Sequence, residues 1–313
     1  MTDDRGASDR ASDTITARSV TSVTRFDITV LPSLPNRETF PAAINNWGDV
    51  AGTAEDAVGN LRAFVYFEEV LFDLLTLGGN NASAWDLNDT GQVAGWSELV
   101  DGSVRAFLFT AATRVMEDLG TLGGTYSAAY SINQSGHVVG TSDNDAGAER
   151  AFLYVDADSG MQDLGTLGGL QSRANAINNL GQIAGDSSTA IAGEEHAFLY
   201  SNGVMEDIGT LGGSLAYAND INDAAQVVGV SSTAQGELSA FIYSEGEMVP
   251  LGLLGGQRSD ASGINNHGQV VGFTDFVGFL WDEVNGLRDL NEMIGADPGW
   301  LILEAISIND RGQ

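Results

Sequence analysis

The chain has three histidines, His137, His196 and His267, and no cysteine. A nucleophile–base pair or a shared metal needs such groups at one place, and these three fall at three different positions of a repeated unit. Thiolate chemistry and disulfides are excluded outright. No G-x-S-x-G elbow is present. Carboxylates are plentiful, with 43 Asp and Glu. Asp86 and Asp220 share one repeat position, two residues before an Asn, and would serve a hydrolase or lyase if they converge at a central pore. Asp143, Asp145 and Glu149 alternate oxygen ligands around Asn144, a pattern that hard cations such as calcium accept. The plainer reading of that stretch is a solvated hairpin tip. Trp85 and Tyr130 also share a position, three before the Asn, where the other units carry Ala42, Asn175, Asn219, Ser262 and Ile306. Side by side they could stack on a sugar ring, or fill space between modules as aromatics commonly do. The phrase "GTLGG" lacks the Lys-Ser/Thr ending of a phosphate loop and precedes a strand, so it reads as a connector.

These positions are defined by a repeat. "LGG" phrases begin at Leu77, Leu122, Leu167, Leu211 and Leu254, and an Asn follows each by eleven residues. The full set is Asn45, Asn88, Asn133, Asn178, Asn222, Asn265 and Asn309, spaced 43, 45, 45, 44, 43 and 44 apart. A period this regular means stacked modules. Asn opens an N-x-x-G turn in which its side chain bonds the following backbone and Gly accepts a positive φ. One unit has Ala225 in place of that Gly, which predicts a local adjustment of its hairpin. Each unit holds four short β-rich segments, such as 127–133, 137–142, 150–155 and 161–167, and has no room for a useful helix. The "AFLY" runs lack alternation and read as strands buried on both faces.

Four strands in ~40–45 residues is the size of a propeller blade. The fold class is therefore all-β, a β-propeller of four-stranded blades over residues 25–313 in one domain. Six units are complete, and "EAISIND" starts a seventh that stops at Gln313. The segment 25–34 reads as an orphan fourth strand that joins the last blade. The expectation is a seven-bladed design lacking two middle strands, as in a C-terminally truncated chain, with a six-bladed ring as the alternative. Residues 1–24 read as a disordered polar tail.

Composition narrows the partners. Net charge is −30, and all 13 basic residues are Arg. Self-repulsion of that size is relieved by salt, and the pattern resembles proteins of salt-loving microbes. Nucleic acid is a poor partner, because phosphate binding needs clustered cations. No apolar run reaches the ~20 residues of a membrane helix. A monomer is expected.

The motifs carry a family resemblance. His196-Ala197-Phe198, the Ala-Phe pairs of the other units, and the "DLGTLGG" and "IN..GQ" phrases resemble the HAF repeat family over about residues 26–313. That resemblance implies an extracellular or surface repeat and supplies no catalytic residues. Residues 1–24 lack the apolar core of a secretory signal, so a cytoplasmic location stays open. Asn81-Ala82-Ser83 is a glycosylation sequon that matters on export, and it reads as part of a connector.

The second-to-third strand loops are variable and acidic, and they share a face with the connectors. Gly272 to Phe279 spans 7 positions against 12 from Gly140 to Phe152, which leaves a notch in blade six. Varied loops on a constant frame present binding surfaces. The leading expectation is a non-catalytic module that binds a glycan, a protein or another surface ligand and needs no cofactor. A purely structural repeat of a larger surface protein comes second, and a carboxylate hydrolase or lyase third.

Overall fold

The computed structural model describes residues 13–18, 25–31, 38–68, 70–275, 277–294 and 299–313. Six repeats fold as four-stranded antiparallel units, over residues 39–73, 78–118, 123–163, 168–209, 212–250 and 259–289. In the third, the strands are Gly123–Ile132, Val138–Asn144, Glu149–Tyr154 and Met161–Asp163. The third strand of one blade lies against the first strand of the next through single parallel bridges, Tyr126 to Val104 and Leu215 to Glu195. Among the described residues the only helical element is one 3-10 turn, Leu290–Glu292. None of the helices is long and apolar enough to cross a membrane. The β-propeller is the observed architecture.

The core is a repeated pair. Phe64, Phe107, Phe152, Phe198, Phe241 and Phe279 are each at most 1% exposed. Each faces a glycine on the second strand, as Phe152 faces Gly140 and Phe198 faces Gly185. A Cβ on Gly52, Gly95, Gly140, Gly185, Gly229 or Gly272 would sit 1.9–2.2 Å from a first-strand carbonyl oxygen. Glycine is required there by close approach of backbone, not by a turn. In the "AFLY" run Ala and Phe are fully buried, but the third residue (Val65, Leu108, Leu153, Leu199) is only half-buried. Burial on both faces therefore holds for the Ala-Phe pair of every run and extends to the third residue in the fifth, where Ile242 is 8% exposed.

The glycine phrase opens the first strand instead of only preceding it. Thr121 Oγ1 donates to Gly124 O at 3.0 Å, and Gly123 takes φ +107°. Leu122 N donates to the buried Ser142 Oγ at 2.9 Å, which ties the connector to the second strand. Neighbouring blades are joined by a further serine. Ser127 Oγ accepts from Ala106 N at 2.9 Å and donates to Gly120 O at 2.6 Å. Ser172 makes the same two bonds to Ala151 and Gly165, and Ser259 to Ala240 and Gly252.

Ala225 corrects one expectation. It holds φ +59° and keeps its backbone bond to Asn222 O at 3.0 Å, so the hairpin does not adjust. The alanine takes the strained conformation because the flanking strands fix the turn. Ala225→Gly is expected to raise the unfolding free energy by about 0.5–1 kcal/mol, read as a higher urea midpoint at constant m-value.

Seven repeats surround the axis. The seventh is represented by residues 299–313, whose turn at Asn309 sits between those of Asn265 and Asn45. Seven turn asparagines close this ring, which is consistent with the seven-bladed expectation. The expected orphan strand, Arg25–Val30, touches the end of the sixth repeat through Phe26, whose N–H donates to Met293 O at 3.0 Å. Phe26 is buried with Val271, Leu280, Leu290 and Met293. Asp13–Arg18 pairs antiparallel with Arg25–Val30 where an unstructured tail was expected; its run of β-branched residues (Thr14, Ile15 and Thr16) suits a strand. Residues 1–12 and 19–24 of that expected tail lie outside the described residues.

Candidate functional site

The turn asparagines do more than close turns. Asn133 Oδ1 accepts from Ser135 N and His137 N, both at 3.0 Å, as the sequence predicts. Its Nδ2 donates to Asn178 O in the next blade at 3.1 Å. All seven do the same in sequence, and Asn309 Nδ2 closes the circle on Asn45 O at 2.8 Å. A second ring lies outside it, formed by the residues that follow. The backbone N–H of Asn46 donates to Asp89, that of Asp89 to Gln134, and so on through Asn179, Asp223 and Asn266 to Asp310 and back to Asn46. These two rings and a belt of Leu87 and six isoleucines line one mouth of the central channel.

Further along the first strands each complete blade carries a bulge. The pairing skips Ala42, Trp85, Tyr130, Asn175, Asn219 and Ser262. An extra residue re-aims its neighbours. It turns Trp85 and Tyr130 onto each other, with ring centroids 4.8 Å apart and planes tilted by 33°. It sends Asn175 Nδ2 to Ala218 O at 2.8 Å and Asn219 Nδ2 to Ala261 O at 2.9 Å, each in the next blade.

The residues after the bulge include Asp86 and Asp220. Asp86 accepts from Leu87 N, Ser131 Oγ and Ile132 N at 2.8, 2.8 and 2.9 Å. Asp220 accepts from Ile221 N and Ile264 N, both at 2.8 Å. Each carboxylate thus satisfies backbone donors in its own blade and the next. Both carboxylates are half-buried. Desolvation pushes Asp86 up to about 6 and Asp220 up to about 7, the latter raised further by the charge of Asp86. Their oxygens are occupied by backbone N–H groups, which is a structural duty.

A polar clamp centres on Arg173. Arg173 meets Glu149 with Nε and Nη2 at 3.2 and 2.9 Å, and Nη1 lies 3.6 Å from Asp186. The Glu149 hydrogen bonds hold the guanidinium's pKa above its ordinary value. Asp186, 5% exposed, also accepts from Asn175 at 2.9 Å. Burial pushes its carboxyl up to about 6 against the pull of Asn175 and Arg173. Tyr217 OH donates to Glu195 at 2.6 Å, and burial pushes that phenol up to about 12. Burial raises the phenols of Tyr126 and Tyr130.

The other sequence candidates fall apart spatially or take different partners. His196 Nδ1 pairs with Asp207 at 2.9 Å, and His267 Nε2 lies 3.0 Å from Asp310 O. Among the described residues no three His, Asp or Glu side chains gather as a metal site. Asp143 and Glu149 are cross-strand neighbours, but Glu149 faces Arg173, and Asn144 Oδ1 accepts from Ala146 and Ala148 to close the hairpin. Asn81 lies inside the strand Gly78–Leu87, not in the connector, and its amide binds Glu98 at 2.9 Å and Leu61 N at 2.9 Å. Arg173 and Tyr217 escaped the sequence reading. Both lie five before the turn Asn, and aligning the units by that Asn would have shown a position carrying Phe40, Ser83, Ala128 and Asp260 elsewhere.

No protein-family model matches the chain, and no curated relative does. Solved structures similar to it include the β-propeller domain of the Trilobed protease from Pyrococcus furiosus, at TM-score 0.60 and 12% identity, covering 91% of this chain and 94% of that one. TolB from Acinetobacter baumannii matches at TM-score 0.53 and 14% identity, over 78% of this chain and 61% of that one. The acylaminoacyl peptidase of Pyrococcus horikoshii matches at TM-score 0.52 and 12% identity, over 89% and 48%. The chain thus spans only 61% and 48% of the last two, and at these identities the likeness establishes the fold alone.

Proposed function

We propose that this protein is a non-catalytic binding module that presents one propeller face to a surface ligand, with a glycan as its ligand class. The observation that carries this reading is where the repeats agree and where they differ. Turn asparagines, second-strand glycines and third-strand phenylalanines recur in every complete blade. Variation concentrates in the second-to-third strand loops and at the first-strand positions three and five before the turn Asn. Those two inner positions carry the half-buried Trp85 and Tyr130, which stack on each other, and Arg173, which pairs with Glu149 and Asp186. An aromatic face takes the apolar side of a sugar, and fixed amides and carboxylates take its hydroxyls. The resemblance of the repeats to HAF repeats supports an extracellular or surface setting.

A glycan array in about 1 M salt, followed by titration of the best hit, tests this. Trp85→Ala and Tyr130→Ala are each expected to weaken binding at least tenfold while the far-UV spectrum is kept. Silence across glycans, or unchanged affinity in both variants, would remove the assignment.

A further inference from the structure

Three apolar residues depart from the repeat at places far apart in the chain. The residue after each "LGG" is Asn80, Thr125, Ser214 or Gln257, but Leu170 in the fourth blade. The residue after that is Asn81, Tyr126, Gln171 or Arg258, but Leu215 in the fifth. Between the last paired residues of the second and third strands, four blades hold five residues, as at 144–148. The fourth blade holds six, 189–194, and they include Ile191. Leu170 is 78% exposed and Ile191 is 62% exposed, so neither serves the core. The fold brings all three to one cleft of about 660 Å³, with Glu194 and Glu195 on its wall.

Glu195 departs from the repeat in its partner. It closes the strand pairing opposite Ser188, as Glu149 does opposite Asp143. Glu149 meets a cation, Arg173, with both oxygens. The equivalent of Arg173 in the next blade is Tyr217, whose OH donates to Glu195 Oε2 at 2.6 Å. Among the described residues no arginine or histidine pairs with Glu195, and Glu194 has only His196 Nε2, at 3.8 Å. A half-buried carboxylate beside apolar side chains and without a counter-ion favours a cation that brings its own apolar stem.

We infer that this cleft binds a lysine-bearing peptide segment of a protein partner, with aliphatic residues on either side of the lysine. Leu170, Ile191 and Leu215 take the aliphatic groups, and Glu195 takes the ammonium. Tyr217 already holds one carboxylate oxygen, which suits a compact ammonium better than the two-pronged guanidinium of arginine. A single amine would leave most of a cleft this size unfilled, which favours a peptide. The chain contains no lysine, so a second copy of it is not the occupant.

The test is calorimetric titration of the full chain with acetyl-Gly-Leu-Lys-Leu-Gly-amide in about 1 M salt, where the general attraction of a protein of charge −30 for cations is screened. Saturable binding at one site is expected, with added hydrogen-exchange protection at 168–171 and 189–195. Norleucine in place of the peptide's lysine, which keeps the stem, is expected to weaken binding about tenfold or more, and so is Glu195→Gln in the protein. The two changes together are expected to cost no more than either alone. Leu170→Ser and Ile191→Ser are each expected to weaken binding of both peptides. No binding, equal affinity for the lysine and norleucine peptides, unchanged affinity in Leu170→Ser and Ile191→Ser, or protection elsewhere would overturn the assignment. An arginine peptide of equal affinity would overturn the choice of lysine, and n-butylammonium chloride binding as tightly would overturn the peptide as occupant. The glycan array bears on Trp85 and Tyr130, so either idea can fail alone.

Discussion

Truncating Phe198 to Ala is expected to lower the unfolding free energy by about 3–5 kcal/mol, while Phe72→Ala changes it by less than about 0.5 kcal/mol. Phe198 is 0% exposed and Phe72 is 44% exposed, so the two substitutions remove the same atoms from opposite environments. The cost at Phe198 exceeds simple transfer because its pocket cannot collapse. Two ring carbons lie 2.8 and 2.9 Å from the point where Gly185 would carry a Cβ, and the strand under them is held by ladder bonds on both sides. A cavity therefore stays open between blades. Gly185→Ala approaches the same contact from the other strand, since its Cβ would fall 1.9 Å from Arg173 O and force the strands apart. Urea unfolding followed by near-UV dichroism measures all three. A loss below about 1 kcal/mol at Phe198 would mean that the blades do not pack around this ring.

The frame was legible because its rules are local. N-x-x-G needs one side chain and the next four residues, and the ~44-residue period needs only counting. What escaped needs partners far along the chain. The sequence accounts for Asn133 Oδ1, whose donors are two and four residues on, but not for Nδ2, whose acceptor is 45 residues on. The ring that fixes seven repeats is made of those second halves. The bulge is hidden for another reason. An extra residue in a strand leaves composition unchanged and only shifts which neighbour faces the axis. Trp85, Tyr130, Asp86 and Asp220 stand out by repeat position, and their orientation follows from the skipped pairing. Arg173 and Glu149 are 24 residues apart on different blades, so their pairing has no sequence signature.

The same geometry makes stability depend on pH in an unusual direction. Raising pH from about 5 to about 8 in about 1 M salt is expected to lower the unfolding free energy by about 2–4 kcal/mol through Asp86 and Asp220. In the unfolded chain both titrate near 3.8, and in the fold at about 6 and about 7. Between those values the folded state holds more protons than the unfolded one. The slope is therefore negative, and stability present near pH 4 is lost as pH climbs through the folded values. The cause is desolvation in the channel, which outweighs the backbone N–H bonds that favour the charged forms. The full arithmetic of the shifts gives a larger figure, and water entering the channel reduces it. High salt matters to the measurement, because a net charge of −30 also relaxes on acidification, and screening to ~3 Å removes most of that background. Asp186 and Asp260 are raised as well and leave a residual slope of the same sign. The control is Asp86→Ser with Asp220→Ser, the residue that the neighbouring blade itself uses at Ser131 to face Ile177 N at 3.4 Å. Serine keeps an acceptor for the inward N–H and cannot ionise in this range, so the double variant should show a flatter profile and gain most above pH 7. A wild-type slope retained in that variant would assign the effect to other groups and return the two carboxylates to ordinary surface behaviour.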